Sequence, residues 1–156
     1  MLYANPWLIP MGDEMWLYYS GTARHHGPVS PGQDERTMAR NSGIFRASIR
    51  QDGFVSADAG YGGGQLTTPV IRFSGRRLEF NCDGSAGGWL KVEIQDGEGK
   101  ALTGYGLDEA DAVVGNAVRK QVTWRRESDV SRLAGRPVRL RLRMRDIKLY
   151  AFQFCP

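Results

Sequence analysis

The side chains in this 156-residue chain whose type and spacing bear on catalysis or ligation are few. His25 and His26 are adjacent, and on a strand neighbouring side chains point in opposite directions, so the pair lacks the close-spaced partners of a zinc site. No carboxylate near them in sequence orients an imidazole as a general base, so they read as solvated loop residues. Asp108, Glu109 and Asp111 lie close together and read as a solvated turn rather than an acid/base pair. Asn81, Asp83 and Ser85 offer side-chain oxygens, but calcium takes about six or more. Cys82 and Cys155 are too few for a disulfide framework, and a bridge between them would imply an oxidising compartment. No metal or cofactor is expected.

Charge is the stronger signal. The net charge is +4, and between Arg119 and Arg145 ten basic residues face two acidic ones, a local excess of +8 that would attract an anionic polymer. The outward face of an antiparallel sheet must nonetheless be polar, and acids such as Glu79 and Glu93 are available to pair with these arginines. No aromatic residues interleave with them as base-stacking platforms do, so nucleic acid is not an expected partner. Nor is a membrane: no run of about 18 apolar residues occurs. The N-terminus lacks the basic start and apolar stretch of a signal peptide, so the compartment is not legible.

The elements that must carry these residues are strands. Val138, Leu140, Leu142 and Met144 alternate with Arg139, Arg141, Arg143 and Arg145, the period of a strand with one buried face. Alternation resumes after Asp146, with Tyr150, Phe152 and Phe154 on one side, which predicts a hairpin turning at Asp146 and closing a β domain. Leu78 and Phe80 alternate with charged neighbours, as do Leu90, Val92 and Ile94, and glycine turns punctuate the segments. With 20 glycines, 41% apolar residues and no long amphipathic helix, the composition suits many short strands. The expected fold is all-β: a two-layer antiparallel β-sandwich of the jelly-roll, concanavalin-like kind over residues 60–156. A small β-meander precedes it over residues 1–59, with a hairpin of residues 7–9 and 15–20, and with Phe54 to Ala57 returning on residues 42–50 after the Asp52-Gly53 turn. The glycines at 62–64 suit the joint between the two.

Several of these stretches resemble a known family. Residues 90–96, Gly104-Tyr105-Gly106-Leu107, Val122-Thr123-Trp124, residues 133–140 and Leu149-Tyr150-Ala151-Phe152 are similar to the C-terminal β-sandwich of invertase-like glycoside hydrolases. Tyr3-Ala4-Asn5-Pro6, residues 17–21 and residues 52–56 resemble the last blade of the five-bladed propeller that precedes it. The resemblance implies an accessory, non-catalytic C-terminal region of a carbohydrate-active enzyme, joined to an upstream propeller in a longer parent. Such hydrolases need two carboxylates flanking the glycosidic bond. Their Asn-Asp-Pro-Asn, Arg-Asp-Pro and Glu-Cys motifs are missing here, so this chain is expected to have no glycosidase activity. By the same resemblance, Asn5, Trp7, His25 and His26 lie where the last blade approaches the sugar cleft and are candidates for carbohydrate contact. Trp89, after Gly87-Gly88, is placed to offer its ring to a sugar at the rim of the sandwich. The competing reading makes these aromatics core, and makes the chain a structural or assembly module without ligand, as a homodimer joined through strand edges.

Overall fold

Runs of β-branched and aromatic residues separated by glycine favour strands, and nine of them make up the computed structural model, which describes residues 2–22 and 42–156 and of Ser85 the backbone alone. Among the described residues there is no α-helix, only a single 3-10 turn at Ser131–Leu133. The all-β, antiparallel, sandwich-like architecture expected from the alternation is the one observed. The chain divides into two units, Met1–Gly53 and Phe54–Pro156.

In the first unit β1 (Leu2–Ala4), β2 (Ile9–Met11), β3 (Glu14–Gly21) and β4 (Gly43–Arg50) form one sheet. The predicted hairpin is that of β2 and β3, turned by Gly12, whose φ of 64° is natural for a residue without a Cβ. β4 pairs with the whole of β3 on one edge, while β2 and β1 share the other edge end to end. These registers put Leu2, Met15, Leu17, Tyr19, Phe45 and Ile49 on the same face, because directly opposed residues point the same way. Tyr19 and Phe45 stack there with centroids 5.4 Å apart. The opposite face is mixed, with the Arg46 guanidinium 4.0 Å from the centre of the Trp16 ring. No described residue of this unit is buried.

The second unit contains β5 (Ala57–Ala59), β6 (Gly64–Thr67), β7 (Arg77–Asp96), β8 (Asn116–Gln121) and β9 (Val138–Cys155). β7 and β9 run antiparallel along nearly their full lengths, β5 and β6 lie end to end on the far edge of β9, and β8 lines part of β7. Leu78, Phe80, Leu90, Val92, Ile94, Leu140 and Leu142 are completely buried on the inner face of this sheet. Tyr105, Val122, Trp124, Val130 and Leu133, from the segments between β7 and β9, complete the core. The Trp124 indole N–H donates to the Val92 carbonyl at 2.9 Å, so the buried polar atom is satisfied.

Three expectations are corrected. There is no hairpin at Asp146: β9 is one 18-residue strand that bends in place. Asp146 adopts φ 49°, a left-handed value that aspartate tolerates, and its N–H donates to the Gly60 carbonyl at 3.1 Å. Arg145 faces Trp89 while Ile147 faces Gly84, so the chain irregularity that resembles a turn is a bulge shared with residues 85–88 of β7. For the same reason residues 77–81 and 89–95 belong to one strand rather than two. A second shift, at Tyr150, changes the parity again, so that Ile147 and Leu149 face the core before it and Phe154, stacked on Phe73 at 3.7 Å, packs against the core after it. Finally, the chain after Gly53 does not return on β4; β5 pairs with Ile147 to Leu149 of β9.

Candidate interaction surfaces

The outer face of the β6, β9 and β7 sheet follows directly from the alternation. Since Val138, Leu140, Leu142 and Met144 are buried, Arg139, Arg141, Arg143 and Arg145 take the other side. Across β7 they stand opposite Gln95, Glu93, Lys91 and Trp89 respectively, and across β6 Arg143 faces Gln65. Arg141 is the tethered member: one terminal nitrogen lies 3.5 Å from Glu93 Oε1 and the other donates to Gln65 Oε1 at 3.0 Å. Glu93 also accepts from Gln95 Nε2 at 2.7 Å and from the Leu107 N–H at 3.4 Å. Arg145 rests on Tyr61, 4.0 Å from the ring centre, with Trp89 beside it across the ladder. The side chains of Arg139 and Arg143 make no hydrogen bond or ion pair with a described residue, and the Nε–H groups of Arg139 and Arg141 are buried without an acceptor among the described residues.

The residues expected at a site fall in different places. Trp89 is half-buried in β7 on the outer face just described. Asn5 and Trp7 lie together in the connection from β1 to β2, where Asn5 Oδ1 accepts from the Trp7 N–H at 3.1 Å and the Asn5 N–H donates to the Tyr18 carbonyl at 3.0 Å. Trp7 is 73% exposed. His25 and His26 lie outside the described residues. Lys91 shares a parity with Glu93 and Gln95 that the sequence already displays. Tyr61 carries no such signal, because it sits in a glycine-rich stretch with no periodicity, and only the fold brings it to Arg145.

A cavity of about 440 Å³ lies beside Tyr105, Glu109, Trp124, Arg125 and Arg132. Its groups are already engaged. Glu109 accepts from the Gly106 N–H through Oε2 and pairs with Arg125 at 3.0 Å through Oε1. The Tyr105 hydroxyl accepts from Arg132 Nε at 2.8 Å and donates to the Asp129 carbonyl at 3.1 Å. The Asp129 carboxyl is held down to about 2, first by the Ser131 hydroxyl, then by the Ser131 N–H and Arg76. It is therefore a fixed anion at neutral pH, the opposite of what a general acid requires. Asp111 is likewise lowered, first by the Thr123 hydroxyl and then by the Arg126 N–H.

Two further chemical readings are answered by register. Cys155 faces Arg77 and Cys82 faces Leu149, five positions apart along β7 or about 17 Å, well beyond the reach of a disulfide. Burial, and then Glu79, push the Cys155 thiol up, away from the reactive thiolate. Asn81 is buried and Asp83 faces Lys148, and among the described residues no group of three or more His, Cys, Asp or Glu side chains is arranged to hold a metal ion.

Set beside protein-family models, curated proteins and solved structures, the chain matches none of them.

Proposed function

We propose that this chain is a non-catalytic accessory region of a carbohydrate-active protein of the invertase-like type, and that its first unit works by packing. The observation that carries this reading is the face of the first sheet. Leu2, Met15, Leu17, Tyr19, Phe45 and Ile49 form a continuous apolar surface, yet Leu2 is 72% and Phe45 47% exposed and nothing described in the unit is buried. A sheet of this kind gains its stability when a second sheet covers it at about 10 Å. In the proposed parent that cover is a neighbouring propeller blade. The carbohydrate part of the reading is supported by the resemblance of residues 90–140 and 149–152 to the invertase-like sandwich, and by the position of Trp89 on an outer sheet face. The same apolar face equally favours an assembly module in which a second copy of the chain supplies the cover.

Light scattering on the purified chain, with and without Leu17→Lys, tests the packing. The expected result is weak, concentration-dependent self-association and binding of a hydrophobic dye, both abolished by the substitution. A tight dimer of fixed stoichiometry, lost in Leu17→Lys, favours the assembly reading. A monomer that binds no dye and is indifferent to Leu17→Lys overturns both. Hydrolysis of fructans or aryl glycosides by the chain alone overturns the non-catalytic assignment.

A further inference from the structure

We propose that the outer face of the β6, β9 and β7 sheet binds an acidic polysaccharide, one bearing carboxylate or sulfate groups at intervals along a sugar chain. The inference rests on the carbohydrate part of the reading above and is independent of its packing part. Over the four rows from Trp89 and Arg145 to Gln95 and Arg139, Lys91 and the four arginines place five cations against the single carboxylate of Glu93, whereas past the bulge the same face carries Asp83 and Asp58 beside Lys148. A surface whose only task was solubility would intersperse both signs, as these four rows do not. Neither the Arg139 nor the Arg143 guanidinium is engaged by an acceptor among the described residues, and Arg143 is exposed, open to an anion from outside. Arginine is also the side chain best shaped to hold a carboxylate or sulfate through two parallel hydrogen bonds.

The arrangement of the face selects the class of polymer. Along β9 successive outward arginines are about 7 Å apart, so they address anionic groups in a row. The first row contains the aromatic residues, Trp89 opposite Arg145 and Arg145 on Tyr61, which supplies one ring for the apolar side of a sugar beside one held guanidinium. The later rows contain no aromatic residue. Single-stranded nucleic acid is held by several successive stacked bases, and this face has no platforms for them. In the third row Glu93 neutralises Arg141 and is itself buried with Gln95, so the accessible cations of the face are followed by a neutral interval. That interruption suits a polyhydroxylated chain with charges at intervals better than one with a phosphate on every unit.

Titration calorimetry with polygalacturonate and with dextran sulfate as probes tests the proposal, with neutral dextran and poly(dT) for comparison. Both acidic polysaccharides are expected to bind, with affinity falling as salt rises, and dextran is not. Arg143→Gln and Trp89→Ala are each expected to weaken binding about tenfold. Arg119→Gln, which removes the same charge from β8, at the end of the sheet near Cys155 and beyond the rows that carry Lys91 and the four arginines, is expected to leave it unchanged. Arg143→Gln alters an exposed side chain and its thermal melt should match the parent, which keeps the test valid even where Trp89→Ala perturbs folding. Absence of binding to both probes overturns the proposal, as does equal loss in Arg119→Gln, which would mean attraction by net charge alone. Tighter binding of poly(dT) through the same arginines overturns it in favour of a nucleic-acid surface. Failure of the packing reading would appear only in the light scattering of Leu17→Lys.

Discussion

Asp129 shows how a half-exposed side chain can still matter to this fold. Its carboxylate is fixed by the Ser131 hydroxyl and N–H and by Arg76, whose terminal nitrogen is 3.1 Å away, at the point where the chain enters the 3-10 turn that carries buried Leu133. Folding lowers its pKa from 3.8 to about 2, so the unfolded chain binds the proton more readily than the folded one. The stability it contributes is complete above about pH 4 and is lost as pH falls through about 2. Asp129→Asn is therefore expected to lower Tm at neutral pH and to flatten the acid decline of Tm between these values, measured by thermal denaturation across a pH series. The same slope in both proteins would show that the contacts contribute nothing. Arg125 and Arg126 are instructive at the same scale. Both have positive φ, 50° and 69°, in a two-residue turn where Asn-Gly is the usual choice, and Trp124 and Glu127 close the turn with reciprocal hydrogen bonds. The turn is held by its surroundings, since the Arg126 N–H donates to Asp111 at 2.7 Å.

At the level of elements, the decisive feature is the bend in β9. A strand of 18 residues curls with its sheet, and bulges supply the local twist that lets it do so. Asp146 is the pivot, so a residue that resists the left-handed region should be costly there. Asp146→Val is expected to destabilise the protein by about 1–2 kcal/mol in urea denaturation, while Asp146→Gly is expected to be tolerated. Equal destabilisation by both would mean that the aspartate side chain, and not the backbone conformation, holds the bend. The bend also has a functional consequence. Because three more residues of β7 than of β9 are spent across the irregularity, Trp89 resumes pairing opposite Arg145 and enters the outer face at its end.

For the whole molecule, the contrast between the two units dominates. Every buried residue among those described lies at or after Thr68, in the second unit, with eleven side chains there essentially inaccessible. Hydrophobic burial is the main favourable term in folding, and an isolated sheet without a covered face is marginal in water. A fragment of residues 54–156 is accordingly expected to unfold cooperatively with near-parental Tm, whereas a fragment of residues 1–53 is expected to show no cooperative transition, both followed by circular dichroism. A cooperative transition in the shorter fragment would remove the physical basis for its packing role.

Much of this was legible in the sequence, for one reason: alternation of apolar and charged residues has a period of two, and that period alone assigns Leu140 and Leu142 to a core and Arg139 to Arg145 to the surface. The strand type, the antiparallel character and the cationic face all follow from it. What the sequence could not contain was register. Alternation is unchanged whether a strand ends at Asp146 or continues through a bulge, so one 18-residue strand and a hairpin read alike until β7 is seen to pair on both sides of the bend. The meeting of Tyr61 with Arg145, the opposition of Trp89 to Arg145 and the separation of Cys82 from Cys155 are likewise set by long-range pairing. Local periodicity carries no information about partners more than fifty residues away, and only the tertiary structure supplies it.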